Sequence, residues 1–193
     1  MPQIERSSLL TLGAYARERP RFRARVMAHK KNRTASLGDH MTLIFEDELT
    51  IRYQVQEMLR VERIFEPQGI EDELAAYNPL IPDGRNLKAT MMLEFPDSDE
   101  RRKWLADLMG IEDKVWIEVA GFERAWAVAD EDLERQNEQK TSSVHFLRFE
   151  LTDDMAQALK RGAGLAIGVD HPRYAAKLET PPPVRDALVR DLA

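Results

Sequence analysis

Apolar residues recur along this chain with two periods, near 3.6 and near 2, and the switches between them mark out its elements. Leu9, Leu12 and Ala16 follow Ser8 at helical spacing, which makes Ser8 an N-cap. Pro20 suits the first turn of a second helix, with Phe22, Val26 and His29 on one stripe. Gly38-Asp39 predicts a turn between strands at 33–37 and 41–45. A long helix is predicted over 49–65, closed by Pro67 and Gly69, and a short one over 70–77. The stretch 78–86 (NPLIPDGRN) reads as a loop before a strand at 87–95. Ser98 caps a helix to 108, and strands at 115–119 and 124–129 form a hairpin around Gly121. The polar stretch 130–140 is a short helix or a loop. A strand at 144–151, a helix capped by Thr152 and ending at Gly162, and a strand at 165–169 follow. Three prolines at 181–183 then precede a last helix at 184–192.

Several strands pair locally, and too few helices lie between them for parallel crossovers. The expected class is therefore α+β, a mostly antiparallel sheet with helices on one side or end. The organisation expected is one domain over 1–180, with a basic helical segment at about 8–33. A proline-led tail over 181–193 would be a stiff spacer able to dock on a second subunit of a homodimer. The chain has 193 residues and no cysteine, which excludes disulfides, thiol nucleophiles and thiolate metal sites. No run of about 18 apolar residues spans a membrane and no signal-peptide order is present, so a cytoplasmic location is expected.

Charge changes this picture at one place. The formal net charge is −6, yet residues 17–33 hold Arg17, Arg19, Arg21, Arg23, Arg25, Lys30, Lys31 and Arg33 against one acid, Glu18. Such a block either binds an acidic partner or nucleic acid, or docks on the chain's own acids. The alternation of Arg19, Arg21, Arg23 and Arg25 spreads them around a helix, which weakens a groove-binding role.

Three positions stand out because polar groups fall where burial is costly. On the 49–65 helix, Ile51, Val55, Met58, Leu59 and Phe65 share a sector with Glu62 at its middle and Glu57 close by. A carboxylate there must be paired, protonated or bound to a metal, and the favoured outcome is an ion pair with an arginine such as Arg85 or Arg148. On the 144–151 strand, alternation places His145 with Leu147, Phe149 and Leu151 on the apolar face, most simply as a core histidine bonded to a carbonyl. His29 on the Phe22/Val26 stripe is read the same way, while His40 follows a turn and His171 is expected to be exposed. Glu57, Glu62 and His145 together would suit a divalent metal. The corner Asp83, Arg85, Asn86 and Lys88 concentrates polar groups before a strand and could hold an anion or partner, as could Arg21, Arg23 and Arg25. The glycines at 162, 164 and 168 lie between helix and strand, in the reverse order to a dinucleotide fingerprint, and no phosphate loop or metalloprotease motif occurs.

The segments 28–33 (AHKKNR), 45–66 (FEDELTIRYQVQEMLRVERIFE), 77–90 (YNPLIPDGRNLKAT) and 143–151 (SVHFLRFEL) resemble a bacterial family, domain of unknown function 3501, over nearly the whole chain. Genes of that family often lie beside those for rubrerythrin and an iron–sulfur oxidoreductase subunit. The resemblance therefore implies redox or oxidative-stress work, and it names no catalytic residue. The first functional expectation is an accessory or partner protein of a rubrerythrin or iron–sulfur system. The alternatives are an enzyme or metal-binding protein with a carboxylate/histidine pocket, and a nucleic-acid binder using residues 17–33.

Overall fold

The computed structural model describes residues 3–129 and 140–193. A 3-10 turn at Arg6–Ser8 precedes helix α1, Leu12–Lys30. The side chain of Thr11, not Ser8, caps α1 by accepting from the Ala14 N–H. α1 runs unbroken through Pro20, so the two expected helices are one. Ala16, whose carbonyl would have accepted the missing N–H, is exposed, as is Pro20, and water can take the place of the lost bond.

Strands β1 (Thr34–Leu37) and β2 (Met41–Phe45) form the expected hairpin. Helix α2 spans Glu48–Glu62 behind a capping box of Asp47 and Thr50. It stops three residues earlier than expected, because Arg63 turns left-handed with φ 55°. Pro67 does not close α2. It opens α3 (Pro67–Tyr77), where its missing N–H costs nothing.

Strand β3 (Asn86–Leu93) pairs with β2 on one side and β7 (Val144–Glu150) on the other, all antiparallel. Helix α4 (Ser98–Asp107) and a 3-10 turn (Ile111–Lys114) lead to β4 (Val115–Val119). The hairpin expected around Gly121 is divided. β5 (Ala125–Trp126) pairs with β4, whereas β6 (Val128–Ala129) pairs with β7 in the other sheet. The expectation for 130–140 lies, apart from Lys140, outside the described residues. Helix α5 (Asp153–Lys160) is capped by Thr152, and β8 (Leu165–His171) follows. A strand the pattern did not announce, β9 (Tyr174–Glu179), completes the second sheet before α6 (Pro182–Val189).

The sheets have orders β1-β2-β3-β7-β6 and β5-β4-β8-β9. Their inward faces share one core that includes Leu43, Phe45, Met91, Phe149, Ile117 and Ile167. Each such side chain contributes about 1.5–3 kcal/mol by leaving water. One edge is joined by the chain itself, which changes sheets at Ala127, whose N–H donates to the Val115 carbonyl. At the other edge β1 lies against β8 and β9, and the Tyr174 hydroxyl donates to the Leu37 carbonyl and accepts from the His40 N–H. Gly168 in β8 has no room for a Cβ because the Trp116 ring lies over it. A second, smaller core of Ile4, Ile51, Val55, Leu59, Leu74 and Ile81 binds the N-terminal segment to α2 and α3. α6 packs against its own chain. Val184 and Leu188 enter the main core, and Ala193 N–H donates to the Gly84 carbonyl. No helix among the described residues is long and apolar enough to cross a membrane.

Candidate functional site

Arg33 lies between α1 and β1, and its guanidinium is buried. It donates to the carbonyls of Phe45 (2.9 Å), Glu46 (3.1 Å) and Ala187 (3.3 Å) and to the Asp191 carboxylate. Asp47 Oδ2 stands 3.5 Å away. A rigid fork of five N–H donors can serve such a set, and a lysine could not. Asp47 also accepts from Thr50 N–H at 3.0 Å and lies 2.5 Å from His29 Nε2. Burial raises the Asp47 pKa, but Arg33, the Thr50 N–H and His29 outweigh it and hold the carboxyl below its usual value. Asp191 goes the other way. Burial pushes it up to about 6 despite the pull of Arg33, and Asp47 adds repulsion. His29, Asp47 and Asp191 border an open cleft of roughly 780 Å³, also lined by Arg25, Asp83 and Arg190.

A second charged group binds α1 to α2. Glu57 accepts from the buried Tyr15 hydroxyl at 2.8 Å and from Arg19 at 2.7 and 2.9 Å, with Arg60 at 3.2 Å. The Arg19 hydrogen bonds lower the Glu57 carboxyl to about 2 against the opposing effect of burial, with Tyr15 and Arg60 helping. Burial, then Glu57, raises the Tyr15 hydroxyl. The structural ion pair expected of Glu62 is therefore made by Glu57. Glu62 itself is exposed, which corrects the expected burial. α2 ends there, so no further turn covers it, and Phe65 is 69% exposed beyond the helix.

His145 sits on the inward face of β7 as expected, fully buried. Its Nε2 is 2.9 Å from Thr141 Oγ1, 3.0 Å from the Ser142 carbonyl and 3.8 Å from Glu112 Oε2. Thr141 donates to Glu112, so its oxygen accepts from the ring and Nε2 carries the proton. Glu57, Glu62 and His145 are thus held by three different environments and not brought to one point. Among the described residues no group of three His, Asp or Glu side chains could hold a metal ion. His171, expected to be exposed, is buried near the Met109 carbonyl.

The corner at 83–88 folds on itself. Asp83 accepts from Arg85 N–H, the buried Asn86 joins Asp83 N–H to Glu150, and Lys88 donates to the Pro79 carbonyl. Only Arg85 of this group is exposed. The basic block divides. Arg19 and Arg33 are spent on internal carboxylates, while Arg17, Arg21, Arg23 and Arg25 are exposed and form no ion pair among the described residues. Steps of four place Arg17, Arg21 and Arg25 along one side of α1, roughly 6 Å apart in rise. Leu12, at the start of the same helix, lines an apolar groove of roughly 350 Å³ with Leu10, Leu59, Ile64, Phe65 and Ile70.

Sequence reasoning passed over Asp47, Glu112 and Asp191 and gave His29 only a core role. The one available signal was Asp47-Glu48-Leu49-Thr50, a capping pattern that predicts how Asp47 faces.

The fold and its clusters define an α+β protein of two edge-joined antiparallel sheets, with an arginine-centred ionic cleft beside them. The family model described as protein of unknown function (DUF3501) matches residues 3–192, and the chain belongs to that family. It is similar to a protein of unknown function from Burkholderia pseudomallei K96243, known from a crystal structure, with 53% identity, a TM-score of 0.95 and full coverage of both chains. No curated protein matches it.

Proposed function

We propose that this protein is a cytoplasmic partner of a redox or oxidative-stress system, and that it docks an acidic-surfaced rubrerythrin-like or iron–sulfur protein. The observation that carries the reading is the row of exposed, unpaired arginines on α1, together with a separate apolar groove in which Phe65 is 69% exposed. Charged residues steer an oppositely charged surface, and an exposed aromatic on the same protein can supply the anchor. The gene neighbourhood implied by the family resemblance supplies the class of partner.

The test is an anaerobic pull-down with the tagged full chain against purified rubrerythrin and the iron–sulfur oxidoreductase subunit. Retention of either is expected, falling steeply with salt. Arg21→Ala/Arg23→Ala/Arg25→Ala and Phe65→Ser should each reduce it while melting temperature stays nearly constant, because these side chains are exposed. Retention of neither partner, or equal retention by both variants, overturns the reading. Capture of nucleic acid in their place would assign the arginine row to phosphate binding.

A further inference from the structure

We propose that the cleft between α1, the start of α2 and the segment after α6 binds a small molecule through a phosphate or carboxylate group. Arg25, Arg190 and the Nδ1 of His29 are its ligands. The cleft volume, roughly 780 Å³, is within the usual range for small-molecule sites. Its charges fall into two sets. Arg33 is consumed by Asp191 and Asp47, and Glu48 by Arg52. Asp83 accepts from the Arg85 N–H and has no ion-pair partner among the described residues, so an anion would have to sit toward the arginine side of the cleft. Arg25 and Arg190, exposed and drawn from different ends of the chain, make no ion pair or side-chain hydrogen bond among the described residues.

The internal pairs position the free groups. His29 Nε2 is fastened to Asp47 at 2.5 Å, which fixes the ring and leaves Nδ1 as the nitrogen without a hydrogen bond. Beside the Asp47 carboxylate the ring can carry both protons, with Nε2–H donating to Asp47 and Nδ1–H left to donate to an anion. Arg25 lies four residues before His29, on the same side of α1. Arg190 immediately precedes Asp191, so the buried Arg33–Asp191 pair anchors the backbone that presents it. Two guanidinium forks and an imidazole lining one cleft, two of them from α1 and one from the segment after α6, suit an anionic group with several oxygens.

The test uses the full chain and follows the Arg side-chain and His ring resonances by ¹H–¹⁵N NMR. Inorganic phosphate and acetate are titrated separately against chloride at matched ionic strength. Saturable shifts of Arg25, Arg190 and His29 are expected with phosphate, acetate or both, and not with chloride. The arm that saturates at lower concentration identifies the group preferred. Arg25→Gln and Arg190→Gln should each weaken binding about tenfold, the loss of one charge-assisted hydrogen bond. Arg101→Gln, at an exposed arginine of α4 away from the cleft lining, should leave it unchanged. No saturable shift with either anion overturns the proposal, and so does an equal loss in Arg101→Gln.

Discussion

The two ionic clusters of this protein use the same ingredients and reach opposite states. Both join a carboxylate to an arginine from the basic block. At Glu57 three donors converge on a carboxylate that keeps part of its surface in water, and its pKa falls to about 2. At Asp191 one guanidinium shared among five acceptors meets a carboxylate that is almost wholly buried, and its pKa rises to about 6. Donor count and solvent access, more than the arginine itself, set the sign of the shift. The first cluster is a clamp between two helices. The second holds ionisable charge at the wall of a cleft.

The largest effect should come from Arg33→Ala. It strands the Asp47 and Asp191 carboxylates and three carbonyls, and chemical denaturation should show a loss of about 3–5 kcal/mol. A loss below about 1 kcal/mol would mean that the cluster contributes little to stability. Next comes pH. Asp191 is raised above its ordinary 3.8, so its contribution to stability is full below that value and is lost as pH rises toward about 6. Asp191→Asn should remove this downward slope from a plot of unfolding free energy against pH. Glu57 is lowered from 4.5, so its contribution is present above 4.5 and is lost as pH falls toward about 2. Glu57→Gln should cost about 1 kcal/mol at neutral pH, allowing for solvent screening, and should flatten the acid limb. If the two variants flatten the same limb, the contrast between the clusters fails. The smallest effect is Glu62→Ala, which should fall within about ±0.5 kcal/mol in a thermal melt, with or without chelator, as befits an exposed side chain at a helix end.

Much of the fold was legible where alternation was strict. The β1/β2 hairpin, β3 and β7 follow directly from residues such as Leu43, Met91 and Phe149 on one face. β9 was missed because Ala175, Ala176 and Lys177 carry little strand preference. The end of α2 was misplaced because Arg63 adopts a backbone conformation that glycine usually announces. That overshoot carried Phe65 into the imagined core and Glu62 with it. The change of sheet at Ala127 is a tertiary event, fixed by a carbonyl from β4. The ionic cleft was least legible. Nothing local distinguishes Arg33 from its exposed neighbours, since its burial depends on Asp191 and the Ala187 carbonyl near the other end of the chain.

That last dependence also bears on when the protein can form. Tyr174 closes the sheet edge by reaching a carbonyl 137 residues earlier, and Arg33 meets Asp191 across 158 residues. Contacts of such sequence separation favour slow folding, because the intervening chain must be ordered before they repay the entropy of closure. During synthesis the N-terminal hairpin and α1 emerge long before their final partners. The Arg33 guanidinium then waits in water until Asp191 has been made, and the open edge of β1 is exposed to other chains until β8 and β9 are in place.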